Sequence, residues 1–194
     1  TMLIDLGSNV DCRPAHLFNF AVMGSVFANA RWNIDNPTVG ILSIGSEAGK
    51  GNKLVKETIA KFEEVAHINF IGNIEPNELL NTSANVVVCD GFVGNVILKL
   101  TEGLGVAICQ HMDDHYKSLV DEQTLNLLKE DVFQRTNVVE TFGGGPILGV
   151  KGLVVVGHGK AQANAVANAF ETVKWMAESK YTEKLESELI KVFK

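Results

Sequence analysis

The chain has 194 residues, 46% of them hydrophobic and 21% charged, with a formal net charge of −6. That is the composition of a globular protein with a sizeable core, and it excludes an intrinsically disordered chain. The acidic balance argues against a protein that coats duplex nucleic acid, because such a protein presents a basic face.

Short apolar runs alternate with longer helical patterns. The first run, over 2–6, reads as a strand and is followed by a largely apolar helix over 14–31. Pro14 suits the first turn of that helix, where its missing N–H costs nothing. A strand over 38–44 ("TVGILSI") leads to an amphipathic helix over 53–65, with Leu54, Ile59 and Phe62 on its apolar side. A strand over 67–71 and a short helix over 76–80 come next. The clearest strand is "ANVVVC", 84–89, a continuous β-branched run of the kind found in a parallel sheet covered on both faces. A helix is expected from 93 to 104 and onward, a second over 122–133, a last strand over 153–156 and a last well-defined helix over 161–180. Residues 181–194 read as a charged, frayed helical tail.

This order predicts an α/β fold, a mostly parallel sheet with helices on both faces and right-handed crossovers. No stretch reads as a continuous apolar run of the roughly 18 residues that span a bilayer. Cys12, Cys89 and Cys109 show no CxxC spacing, so neither a disulfide framework nor a structural zinc site is expected, and a reducing cytoplasm fits. His16, His67, His111 and His115 have no metal-ligand company, and no metal or other cofactor is implied. The opening "TMLIDLGSN" enters a strand at once, and the chain is expected to begin inside a larger fold.

The polar signals recur at one place, just after a strand: "GSN" (7–9), "GSEAGKGN" (45–52), "DGFVGN" (90–95) and "GHGK" (157–160). In an open parallel sheet, ligands bind beyond the carboxyl ends of the strands. Glycines there admit close backbone approach, and helix N-termini offer N–H groups to an anion. Four such loops in phase predict a site for an anionic ligand. "GKGN" is not a P-loop, since no Ser or Thr follows Lys50 and the glycine spacing differs.

At these loops the sequence resembles the PlsX family, the acyl-acyl-carrier-protein:phosphate acyltransferases of bacterial phospholipid synthesis. The stretches that carry the resemblance are "LIDLGSNVDCRPAHLFNFAVMGSVFA", "NPTVGILSIGSEAGKGNKLVKE", "INFIGNIE", "VVVCDGFVGNVILKLTEG", "GGGPILGVKG" and "HGKAQANAVANA". They run from residue 3 to about residue 169. Members are longer at the N-terminus, so residues 1–180 correspond to the C-terminal part of the acyltransferase domain. The resemblance implies an isocitrate/isopropylmalate dehydrogenase-like fold and a homodimer. It also implies transfer of a fatty acyl group from acyl-carrier protein to inorganic phosphate. The acyl phosphate formed would feed a membrane glycerol-3-phosphate acyltransferase.

In that reaction phosphate is itself the nucleophile, so the protein must hold a dianion against a carbonyl and stabilise the oxyanion that develops. Lys50 suits the first task and Asn95 the second, and the resemblance points to the same two residues as catalytic. Read from the residues alone, Lys50 is also consistent with a solvated loop lysine, and Asn95 with an N-cap. Gly49, Gly51 and Asn52 beside the lysine, and Gly91 and Gly94 beside the asparagine, are candidate phosphate- or substrate-binding positions. Asn52 is expected to cap the following helix. Asn9 and the glycines are expected to shape the phosphate and pantetheine surroundings. Asp90 either positions a ligand or bonds to loop amides. His158 serves as a ligand contact or general acid, or makes a structural hydrogen bond. Lys160-Ala161 replaces the small hydroxyl residues common in the family after that His-Gly. Cys89 reads as core rather than as an acyl-cysteine nucleophile.

Within the family, the part corresponding to 103–141 is a helical projection with an apolar tip that rests on the membrane and helps form the carrier-protein surface. Here Leu104, Val106, Ile108, Met112, Leu119 and Val120, then Leu125, Leu127, Leu128 and Val132, supply apolar stripes. Either peripheral membrane contact or packing against a second subunit would use them. Asp113, Asp114, Asp121, Glu122, Glu130 and Asp131 outnumber Lys117, Lys129 and Arg135, unlike the basic polar face of an interfacial helix. A short-chain acyltransferase using coenzyme A, and a fragment that only dimerises or binds carrier protein, are the alternative readings. A decarboxylating dehydrogenase fits poorly, because only Arg13, Arg31 and Arg135 are available as substrate clamps.

Overall fold

The structure, a computed structural model, describes residues 1–64, 68–157, 159 and 161–192. The chain divides into two compact units, Thr1–Asn95 with Ser179–Lys194, and Val96–Glu178.

The first unit is an α/β layer built on four parallel strands, β1 (Met2–Ile4), β2 (Thr38–Leu42), β3 (Asn69–Ile74) and β4 (Val86–Val88), in the order β1-β4-β2-β3. The expected α/β class with a parallel sheet and flanking helices is therefore observed. β4 lies between β1 and β2, and all three of its valines are fully buried. Helix α1 (Pro14–Trp32) joins β1 to β2 and packs on both α2 (Lys53–Glu64) and the sheet. It buries Leu17, Phe18, Phe20 and Val22, which explains its nearly unbroken apolar sequence. Pro14 does occupy its first turn, and the Arg13 backbone N–H donates to His16 Nδ1 at 3.3 Å.

Three sequence expectations differ from what is observed here. Residues 76–80 form turns rather than a helix. The strand read over 67–71 is set later, at Asn69–Ile74, and His67 lies outside the described residues. The tail is not frayed: it folds as a long helix, Tyr181–Val192, with Tyr181 and Leu185 buried one turn apart. The Tyr181 hydroxyl donates to the Met23 carbonyl at 3.2 Å, and its ring meets Phe27 edge-on with centroids 5.9 Å apart. Burial pushes the phenol well above its ordinary range. Tyr181→Ala is expected to cost about 3–5 kcal/mol, as for other buried aromatics. Tyr181→Phe is expected to cost only about 1 kcal/mol. Urea melts of the two variants check this.

The second unit is mainly helical. Helix α3 (Gly91–Tyr116) begins in the first unit and continues into the second, followed by α4 (Glu122–Thr136) and the short α5 (Val138–Thr141). An antiparallel pair, β5 (Gly145–Ile147) and β6 (Val154–Val156), then leads to α6 (Ala163–Glu178). The expected strand at 153–156 therefore exists, but in this separate ribbon and not in the parallel sheet. The final helix, Tyr181–Val192, is α7. The Asp121 carboxylate caps α4 by accepting from the Thr124 amide at 2.9 Å and hydroxyl at 2.7 Å, and these bonds hold its carboxyl below the usual range. Lys129 Nζ pairs with Asp113 at 2.6 Å, joining α4 to α3. By length and composition α3 is long and apolar enough to span a bilayer, and little of its apolar stretch is buried. Lys99 and Glu102, paired at 2.7 Å, interrupt its apolar run in the sequence.

Candidate active site

In a parallel sheet every strand delivers its following loop to the same edge, so the segments after β1, β2 and β4 share the carboxyl edge of the first unit. Because β4 lies between β1 and β2, the segment carrying Asn95 has the "GSN" loop on one side and the "GKGN" loop on the other.

The "GSN" loop is organised by Asp5, which the sequence reading passed over. Asp5 is 6% exposed. One carboxylate oxygen accepts from the Gly7 and Ser8 amides at 2.9 Å each, and the other from the Asn9 amide at 2.7 Å and Asn9 Nδ2 at 3.0 Å. A buried carboxylate is stable when amides surround it in this way. The Asn9 side chain is thus committed to Asp5, and the Asn9 carbonyl accepts from the Gly91 amide at 2.8 Å, tying the loop to the start of α3. The legible signal was an Asp followed at short range by Gly-Ser-Asn, the pattern of a side chain that bonds its own loop.

Asp90 caps α3, its carboxylate accepting from the Val93 amide at 2.8 Å. Asn95 is therefore not the cap; it lies in the second turn, exposed, with its carboxamide over Gly7. A Cβ placed on Gly7 would lie 3.7 Å from the Asn95 side chain. Among the described residues the Asn95 carboxamide makes no hydrogen bond. Gly94 is required for a different reason: α3 passes so close to the β1 strand end that a side chain would collide with the Asp5 carbonyl.

On the other side, Gly49 (φ 88°) and Gly51 (φ 108°) flank Lys50 with backbone angles that side-chain-bearing residues rarely adopt. The glycines turn the chain sharply and leave the lysine at the bend. Lys50 is exposed, and among the described residues its ammonium has no hydrogen bond or ion pair. Its stem lies along Gly45, where an added Cβ would sit 3.1 Å from Lys50 Cγ. Asn52 caps α2, accepting from the Val55 amide at 2.9 Å. The loop is also held from β3, by a residue the sequence reading did not single out. Asn73 Nδ2 donates to the Gly45 carbonyl at 3.0 Å and the Glu47 carbonyl at 3.1 Å, while Glu75 accepts from the Ser46 amide at 3.2 Å.

The "GKGN" loop and the start of α3 flank a cavity of about 250 Å³, to which Ser43, Gly51 and Asn52 contribute from one side and Cys89, Asp90 and Val93 from the other. The candidate residues are thus gathered in two groups: Lys50 with Gly49, Gly51 and Asn52, and Asn95 with Asn9, Asp90, Gly91 and Gly94. Lys50 and Asn95 do not line the cavity itself; both are exposed on the segments that form it. His158 and Lys160 lie outside the described residues.

Cys89 is 4% exposed, and its thiol donates to the Asp5 carbonyl at 3.4 Å. Desolvation first, then the nearby Asp90 and Asp5 charges, push the thiol far above its ordinary range, so it stays protonated at neutral pH. Cys12 and Cys109 are only half-buried. Alkylation at pH 8 is accordingly expected to label those two in the native chain and Cys89 only after denaturation, as read by mass spectrometry.

The glycine-flanked lysine and the uncommitted carboxamide thus stand on adjacent segments at the carboxyl edge of a parallel sheet, the edge at which open α/β proteins bind their ligands. The chain belongs to the fatty acid synthesis protein family, which matches residues 1–184. This agrees with the resemblance read from the loop motifs. It is 38% identical over 195 residues to the phosphate acyltransferase of Dictyoglomus turgidum, covering 99% of this chain and 58% of the relative. It is 45% identical over 172 residues to that of Citrifermentans bemidjiense, covering 87% and 49%. For that of Aquifex aeolicus the identity is 43% over 188 residues, covering 95% and 56%. The chain therefore spans roughly half the length of these relatives.

Proposed function

We propose that this chain supplies the phosphate- and carbonyl-binding edge of an enzyme that transfers a fatty acyl group from acyl-carrier protein to inorganic phosphate. The acyl phosphate formed serves phospholipid synthesis. The observation that carries this reading is the placement of Lys50 and Asn95, whose side chains have no hydrogen-bond or ion-pair partner among the described residues, on segments that follow adjacent parallel strands.

The chemistry follows from what each group offers. The Lys50 ammonium binds the phosphate dianion and lowers the cost of bringing it to the thioester. A phosphate oxygen attacks the thioester carbon, the carbonyl π bond opens, and the Asn95 amide N–H donates to the oxyanion that forms. Collapse of that intermediate breaks the C–S bond, re-forms the carbonyl and releases the carrier as a thiolate, which then takes a proton from solvent. The protonated, buried Cys89 takes no part.

A cytoplasmic homodimer, in peripheral contact with membrane, is the assembly this reading favours. Support comes from the exposed Leu100 and Leu104 on α3 and Leu119 and Leu127 on the segment that follows, which leave apolar surface to be covered. Because the relatives are about twice as long, the 194-residue chain by itself is expected to give little or no turnover. The test is acyl phosphate release from long-chain acyl-carrier protein by the protein with its upstream region restored, beside acetyl-coenzyme A as donor. Release from the carrier substrate supports the reading. Turnover of acetyl-coenzyme A alone would assign the short-chain reaction instead.

A further inference from the structure

Lys50 presents its ammonium from a turn that its own backbone closes. The Lys50 amide donates to the Glu47 carbonyl at 3.1 Å, and Gly49 holds the third position at φ 88°, a conformation that turns reserve for glycine. An added Cβ at Gly49 would meet nothing within 4 Å, so packing does not fix the turn there. Among the described residues, one hydrogen bond from elsewhere in the chain reaches the segment 47–51, and it comes from Asn73 on β3. The Glu47 carbonyl thus accepts two bonds, one from the Lys50 amide and one from Asn73 Nδ2 at 3.1 Å. The same nitrogen donates its second N–H to the Gly45 carbonyl at 3.0 Å, so both donors of the amide are committed to this loop.

Asn73 Oδ1 is buried without a partner, so every hydrogen bond of the side chain goes to the lysine loop. Turning the amide over would set that oxygen against both carbonyls, so its partners fix its orientation. A buried unpaired acceptor is costly, and a half-buried strand position is better filled by an apolar or β-branched side chain. What asparagine supplies here is two donors aimed at the carbonyls that frame the turn. Neither aspartate, which has no donor, nor leucine, which has no polar atom, can replace it.

We propose that Asn73 is a positioning residue for Lys50, its amide fixing the turn that presents the ammonium to the phosphate. The proposal rests on the acyl-transfer reading. It makes the use of phosphate, but not of the acyl donor, depend on a residue of β3.

The test is a pair of substitutions in the protein with its upstream region restored, with phosphate and acyl donor varied separately. Asn73→Leu keeps the branching of the side chain and removes both donors. It is expected to raise the phosphate concentration for half-saturation about tenfold, with that of the acyl donor unchanged. Melting should stay close to the parent, because the same change removes an unpaired buried acceptor. Asn73→Asp keeps the shape, sets a charge against two carbonyls and should do at least as much damage; it decides the matter if the leucine variant does not fold. In a Lys50→Ala background neither substitution should impair phosphate use further, since a residue that acts through the lysine has nothing left to position. The same loss with or without Lys50 would show a merely structural role. That result, parental phosphate half-saturation in both variants, or an equal rise for the acyl donor would each overturn the proposal.

Phosphate binding reads the same point without turnover. Inorganic phosphate titrated into the same protein, isotope-labelled, should shift the Lys50 amide resonance in NMR spectra, with about tenfold weaker affinity in Asn73→Leu. That outcome in a protein that forms no acyl phosphate would remove the reaction and leave the positioning role. An unchanged affinity in the variant, or no saturable shift at Lys50, would remove the positioning role whatever the turnover.

Discussion

Replacing Asn95 by alanine in the lengthened protein is expected to lower acyl phosphate formation about 10²–10³-fold, the usual effect of losing one oxyanion donor. The fold should be unaffected. The carboxamide is exposed, α3 is capped by Asp90, and alanine is the better helix former in a second turn. Asn95→Asp is the sharper variant, since it keeps the shape but replaces an N–H donor with a negative charge where an oxyanion develops. It should be at least as inactive as the alanine variant. Near-parental rates in both, with unchanged melting, would remove Asn95 from the chemistry.

Lys50→Ala is expected to lower turnover by at least ~10²-fold and to raise the phosphate concentration needed for half-saturation, because the dianion loses its counter-charge. The acyl donor's half-saturation should change little. Lys50→Arg should recover part of the loss, since charge is restored but the planar fork differs from a compact ammonium. The glycines on either side make this position sensitive without any loss of core packing. With φ of 88° at Gly49 and 108° at Gly51, a side chain at either position forces the backbone to rearrange and displaces the ammonium. Steady-state kinetics with phosphate and acyl donor varied separately distinguish these effects from a general loss of folded protein.

Much of this edge could be read before any coordinates. "ANVVVC" announced a buried parallel strand because three consecutive β-branched residues have no solvent face, and β4 is the strand that brings the two groups of candidate residues together. "GKGN" announced a bend because glycine on both sides of a lysine serves backbone angles that other residues avoid. Asp5 and Asn73 escaped notice for one shared reason. Each acts by bonding backbone atoms of a loop, and a single carboxylate or amide in a strand-like run does not reveal which amides or carbonyls it will meet.

Other misreadings have local causes. Residues 76–80 begin with proline and carry Glu78 and Leu79–Leu80, a helical composition, yet the stretch is too short to propagate and remains a set of turns. The strand at 154–156 was recognised as a strand but not as a ribbon, since its partner "GPI" is three residues behind glycines and shows no alternation. The tail looked frayed because its many charges masked the apolar spacing of Tyr181 and Leu185, which anchors α7.

The most direct measurement is the position of a bound phosphate analogue. Arsenate has the shape and charge of phosphate and can be located by its anomalous scattering in a crystal of the lengthened protein. The account predicts arsenic with an oxygen in hydrogen-bond contact with Lys50 Nζ, and with the Asn95 amide close enough for both to engage one thioester carbonyl. Arsenate seated in the Ser43 cavity, or Lys50 and Asn95 facing away from one another with the anion beside neither, would contradict it.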